Sequence, residues 1–222
     1  MTEISLLMTP HIDKTIRSLS EKKFIPDPLL GRHFSRQQSL LGSAQKRHGY
    51  ILEKAILETL RSNNRYEVWE DFEFQVPQVV DHMVSGAFED PQSIIGSNSN
   101  YISEGNRKLQ IDLIVFDKQN QNIRAYEIKR GNGFHDAGKR RQILRDVMCV
   151  QVLLKSYGEH RGYNPLNASS HVIFYYGACG LKKPWSLTGE ELDEHFEMPV
   201  RDSVEKVNEI FRERLFSILS EG

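Results

Sequence analysis

The sequence predicts an α/β protein: a mixed central β-sheet flanked by helices, with N-terminal and loop elaborations. Three observations carry this expectation. Short runs rich in β-branched and aromatic residues recur at 66–77, 109–117, 123–131 and 171–179. Apolar residues repeat at helical spacing over 43–63, 136–157 and 204–219. The two kinds of segment follow in the order helix, strand, strand, strand, helix, strand, helix. One mixed sheet covered by helices on both faces is the economical arrangement of that order.

Taken along the chain, residues 1–43 combine a short helical stretch around "DKTIRSLSEKK" with the breaker "IPDP" and read as an N-terminal elaboration. The first strong helix is 43–63, with Ser43 as its N-cap and Leu52, Ala55, Ile56, Thr59 and Leu60 on one face. "YEVWEDFEFQVP" has strand composition, with Val68, Phe72, Phe74 and Val76 apolar. Residues 78–108 are rich in Gly, Ser and Asn, and a connection of that length inside a domain is usually functional or mobile. "LQIDLIVFD", the turn "KQNQN" and "IRAYEIKRG" then form a hairpin. A long helix follows, with Ile143, Val147, Val150 and Leu154 as its core stripe. "HVIFYYGAC" is one more strand, and Val204, Val207, Phe211, Leu215 and Ile218 line a final amphipathic helix. The whole reads as one domain, with a core at 44–180 between the N-terminal elaboration and a helical segment at 181–222.

Composition narrows the function classes. Hydrophobic residues at 39% and charged residues at 27% fit an ordinary globular chain. No apolar run approaches the roughly 20 residues a membrane span needs, and no basic region precedes the short apolar patch of "MTEISLLMTPHIDK". A cytoplasmic protein with no membrane partner is the expectation. The two cysteines, Cys149 and Cys179, have no CxxC spacing, so they read as buried small hydrophobes rather than zinc ligands. Net charge is −1, but it is uneven. Residues 1–50 carry eight basic and four acidic side chains, and residues 184–222 carry four basic and ten acidic ones. Either one side faces a polyanion, or the acidic tail helix is simply solvated.

The hairpin carries the chemistry. Asp112 interrupts the apolar run Ile111 to Phe116, where a carboxylate is costly unless it is paired or holds a cation. On the partner strand, Glu127 and Lys129 are two residues apart and therefore share a face. Two readings follow: an ion pair on a solvated sheet, or a metal site with its lysine. In the preceding helix, with Gly49 at zero and about 100° per residue, Glu53 falls at the edge of the buried face. Glu58 falls opposite it, toward solvent. After the hairpin, Asp136 is a plausible N-cap, which sets Lys139, Arg140 and Arg141 in the first turns of the helix. The helix dipole disfavours cations there, and an external anion would relieve them. Arg130 ends the strand and Gln142 follows the basic triplet. His48, His135 and His171 have no His-x-x-x-His partner, and Ser or Cys nucleophile schemes have no elbow.

This set, Asp112, then Glu127-Ile128-Lys129, with Gly49-x-x-x-Glu53 on the helix before the sheet, resembles the PD-(D/E)XK nuclease superfamily, which includes most type II restriction endonucleases. The resemblance spans about residues 45–180 as a fold pattern, although its chemistry rests on four residues. The Pro-Asp of the family name is replaced here by Ile111-Asp112. What the resemblance implies is a restriction endonuclease-like core that hydrolyses phosphodiester bonds in double-stranded DNA with Mg²⁺. Asp112, Glu127, Glu53 and the Ile128 backbone carbonyl would be metal ligands, and Lys129 would position or activate the attacking water. Beside phosphate and carboxylates the lysine should stay cationic and stabilise the attacking oxygen. Arg130, Lys139, Arg140, Arg141 and Gln142 would meet the nucleic acid. A homodimer matching a palindromic site is the accompanying expectation.

Overall fold

The computed structural model describes residues 3–220. They fall into two compact units, 3–59 with 196–220, and Leu60–His195.

The first unit holds α1 (Glu3–Ser20), all but the last two residues of α2 (Gly31–Arg61), and α6 (Val200–Ser220). Residues 4, 8, 12, 16 and 19 form the buried stripe of α1, the three-to-four spacing of an amphipathic helix. Helix α1 packs on α6, which buries Val200, Val204, Val207 and Phe211. A buried His48–Asn208 hydrogen bond of 2.9 Å ties α2 to α6. Two boundaries differ from the sequence reading. Helix α1 begins ten residues before "DKTIRSLSEKK", because its apolar stripe runs through the Met8-Thr9-Pro10 segment. Helix α2 begins at Gly31 rather than near Ser43. Its start is set by a turn: the Asp27 carboxylate accepts from the Leu29 and Leu30 N–H groups at 2.8 and 3.1 Å, and the Ser35 hydroxyl accepts from Asp27 N–H. Ser43 thus lies inside the helix, where its hydroxyl accepts from Lys22 Nζ.

The second unit is a five-stranded mixed sheet with helices, in strand order β1 to β5. The strands are β1 (Tyr66–Val76), β2 (Arg107–Asp117), β3 (Asn122–Lys129), β4 (Asn167–Phe174) and β5 (Ser186–Thr188). The first three pair antiparallel, and β3–β4 and β4–β5 pair parallel. Helix α4 (Ala137–His160) makes the crossover between β3 and β4. The nominal connection at 78–108 contains α3 (Gln78–Gly86), directly after Pro77 and with Val80 and Val84 buried one turn apart, and a 3₁₀ turn at Pro91–Ile94. A short α5 (Leu192–Phe196) spans the boundary with the first unit. Strand β5, three residues long, is too short to show a period in sequence.

One core cluster joins α3, α4 and one sheet face, including Ile114, Phe116, Ile123, Ala125, Val172 and Phe174. Leu113, Val115, Tyr126, Ile128 and Ile173 point the other way and are also buried. On that second face the Tyr126 hydroxyl lies 2.7 Å from His195 Nε2. Burial, reinforced by His171 and Arg124, pushes the His195 imidazole down to about 3, so it is neutral and accepts from the tyrosine. An unfolded histidine takes its proton near 6.5. The unfolded chain therefore binds more protons at this site between those values, and the His195 contribution to stability is full above about 6.5 and lost as pH falls. Urea unfolding from pH 7 to 5 should show this loss in the native chain. His195→Gln, which keeps an acceptor but does not titrate, should flatten it; an unchanged pH slope would refute the assignment.

Candidate active site

Strands β2 and β3 build the site by register. Leu113 pairs with Tyr126 and Ile114 with Ala125, so continuing outward brings Asp112 opposite Glu127 at the open end of the ladder. There the ladder changes character. The Asp112 Oδ2 accepts the Ile128 backbone N–H at 2.8 Å, a side chain taking a place the sheet would give to a carbonyl. Parity places Asp112, Glu127 and Lys129 on the face that packs against α4.

Three carboxylates influence one another here. Glu70 sits at the irregularity in β1 between Trp69, which pairs with Ile114, and Asp71, which pairs with Ile111. That bulge sets Glu70 beside Asp112 from the strand opposite Glu127. Burial, then the charge of Glu127, and more weakly Glu70, push the Asp112 carboxyl up to about 6, against the pull of the Ile128 N–H and of Lys129. Lys129 Nζ forms an ion pair with Glu127 Oε1, both side chains about one-third exposed. The acid and base two residues apart therefore contact each other directly.

Glu127 also lines a cavity of about 180 Å³ between the sheet and α4, together with Lys108, Lys139, Ile143, Asp146 and Val147. Asp136 caps α4 as its sequence position implies, its carboxylate accepting the Lys139 N–H at 2.9 Å. Lys139, Arg140, Arg141 and Gln142 are all exposed. Gln142 is held by hydrogen bonds of 3.0 and 3.1 Å to Asp146. Arg140 and Arg141 face away from this cavity and line another. Arg130 stacks its guanidinium 5.7 Å from the Tyr176 ring. Glu53 lies on α2 in the first unit, half-buried, as is Glu58. The α2 helix buries Leu57 as well as the expected stripe, so burial does not separate the two acids as the helical wheel does.

Three features escaped the sequence reading. Glu70 needed the bulge, for which the only signal is the acidic break in "WEDFEF". Asp146 lines the cavity but is engaged by Arg107, which also reaches Asp81 at 2.8 Å; Arg145 joins Asp81. Gly131, two residues past β3, has φ +66°, and a Cβ there would lie 2.8 Å from Phe174 Cβ and 2.9 Å from its Cα.

The donor set suits a hard divalent cation. Among the described residues no group of three or more His, Cys, Asp or Glu is placed to hold a metal by itself. Mg²⁺, however, is usually held by one or two carboxylates, with water and substrate phosphate completing its octahedron. Two neighbouring carboxylates on one sheet face, one of them raised by its surroundings, fit that mode. Among the described residues no helix is long and apolar enough to cross a membrane. The chain matches no family model, no curated protein and no solved structure, so the geometry of the site is what supports a function.

Proposed function

We propose that the chain is a Mg²⁺-dependent DNA endonuclease with a restriction endonuclease-like core, most simply a type II enzyme cutting a specific double-stranded site. The observation that carries this reading is the register of β2 and β3, which sets Asp112 and Glu127 side by side on one face with Lys129 next to them. Asp112 and Glu127 would hold the metal, with the Ile128 carbonyl as a backbone donor. Bound there, Mg²⁺ supplies Lewis acidity to the scissile phosphate and acidifies a water.

The chain's own groups do the rest. Lys129, next to Glu127 on the same face, would carry its charge to the attacking oxygen and stabilise it. Lys139, across the cavity from Glu127, draws the phosphate toward the carboxylates. The water oxygen bonds to phosphorus and gives a proton to solvent, the P–O3′ bond breaks, and O3′ takes a proton from solvent, leaving a 5′-phosphate and a 3′-hydroxyl. Arg130, Arg140 and Arg141 contact the backbone, and a two-fold dimer on a palindromic site belongs to the same proposal.

The Glu127–Lys129 ion pair favours one rival: a sheet that uses its charges for stability and binds nucleic acid without cutting. One assay separates them. Mixed-sequence plasmid and linear DNA are incubated with the protein in Mg²⁺ or in EDTA, beside Glu127→Ala and Lys129→Ala with circular dichroism to confirm folding. Discrete fragments in Mg²⁺ only, absent with both variants, are expected. A smear would move the activity to a nonspecific or repair-type nuclease. Retarded but intact DNA would establish the rival, and DNA neither cut nor bound would end the nuclease reading.

A further inference from the structure

Successive residues of α4 serve two different cavities. At about 100° per residue, Lys139, Ile143 and Asp146 fall on one face, and Arg140, Arg141 and Leu144 on another. The second face lines an open cavity of about 600 Å³, within the size range of small-molecule sites. Its remaining walls include Phe88, Leu181 and Trp185, which are apolar or aromatic, and the charged Glu89 and Lys182. Three cations against one carboxylate give the opening a local charge of +2.

Trp185 is only 3% exposed, yet its indole Nε1 is buried with no acceptor among the described residues. A buried donor normally finds a partner. The backbone that carries the indole is held on both sides: the Trp185 carbonyl accepts from Val172 N–H at 2.8 Å, and the Trp185 backbone N–H donates to the Lys182 carbonyl at 3.1 Å. Arg140 lies at the rim of the same cavity. Its aliphatic stem lies against Gly180, where an added Cβ would come within 3.2 Å of Arg140 Cδ.

We propose that this cavity binds a nucleoside phosphate. The base lies on the apolar surface of Phe88, Leu144, Leu181 and Trp185, as bases do on aromatic side chains. A ring nitrogen or carbonyl of the base accepts from Trp185 Nε1, and Glu89 suits an exocyclic amine. The phosphate meets Arg140, Arg141 and Lys182. Free nucleotide and a nucleotide unstacked from a strand share this chemistry. Binding needs neither metal nor scission; it shares Arg140 and Arg141 with the proposed DNA-backbone contacts but none of the carboxylates of the cleavage reading.

The test uses the full chain in EDTA. Trp69→Phe leaves Trp185 as the sole indole, since the chain has two tryptophans. Its emission is followed during titration with deoxynucleoside 5′-monophosphates, deoxyadenosine and inorganic phosphate. Saturable quenching by the monophosphates is expected, with nucleoside and phosphate each weaker by about tenfold or more. Arg140→Ala with Arg141→Ala, or Lys182→Glu, should weaken binding by a similar factor, and Glu127→Ala should leave it in place. Calorimetry on the native chain gives the same comparison without the Trp69 substitution. A duplex carrying 2-aminopurine at a mismatch distinguishes the sources: a Trp185-dependent change in its emission assigns the site to a strand, and response to free nucleotides alone assigns it to those. Equal affinity for phosphate and nucleotide, no saturable response, or indifference to the arginines would overturn the proposal.

Discussion

Asp112→Asn should abolish Mg²⁺-dependent cleavage and, in EDTA above pH 6, stabilise the protein. The two effects share a cause. Asparagine keeps the oxygen that accepts the Ile128 N–H, but it removes a charge held beside Glu127 and Glu70. For the proposed cleavage, that charge would be a metal ligand. Loss of several kcal/mol of transition-state stabilisation is roughly a thousandfold in rate. For stability without metal, the charge is a burden. The unfolded carboxyl releases its proton near 3.8 and the folded one near 6, so the folded state holds the extra proton between those values. The Asp112 contribution to native stability is therefore most favourable at the acid end and becomes a penalty as pH rises to about 6, with the full penalty present above it. Because the group is partly exposed, the gain at pH 8 should be about 1 kcal/mol, shrinking as pH falls toward 4. Urea unfolding at both pH values measures it. Added Mg²⁺ at pH 8 should raise the native Tm and leave that of Asp112→Asn unchanged. A variant that is inactive but no more stable, and still stabilised by Mg²⁺, would remove Asp112 from the metal site.

Gly131→Ala should cost about 3 kcal/mol, combining the left-handed backbone penalty with overpacking. The substitution would drive a Cβ into Phe174 where β4 leaves the sheet. The penalty reaches the site because β3 continues past Lys129 by backbone pairing. Lys129, Arg130 and Gly131 carbonyls accept from Tyr175, Tyr176 and Ala178 at 3.0, 2.7 and 2.7 Å. A chain of this length should lose about 6–12 °C in Tm, and cleavage should fall with the displacement of Lys129. Gly133→Ala is the control: a Cβ there meets nothing within 4 Å, and its φ is not positive. Equal melting of the two variants would show that the Phe174 contact yields without cost.

Local pattern accounts for much of what the sequence made legible. The hairpin turn, the shared face of Glu127 and Lys129, and the Asp136 cap each depend on residues a few positions apart. Alternation and helical spacing encode such relations directly. Asp112 was legible for a related reason, as a charge inside an apolar run. Where the reading slipped, distant partners were involved. The start of α2 depends on the Asp27 turn, and α3 hides in a segment whose composition suggested a loop. Strand β5 exists only because β4 offers it an edge.

By itself, then, the sequence determined the α/β class, the β2–β3 hairpin, the crossover helix and the identity of three neighbouring charged residues. Short-range periodicity and capping are sufficient for these. Only the tertiary structure decided that Asp112 takes the Ile128 N–H, that Glu70 approaches from a bulge in β1, and that Lys129 pairs with Glu127. It alone set Gly131 against Phe174, brought Trp185, Arg140 and Arg141 to one cavity and left the Trp185 Nε1 without an acceptor among the described residues. Each of these depends on strand register and packing between residues distant along the chain, which one-dimensional spacing does not encode.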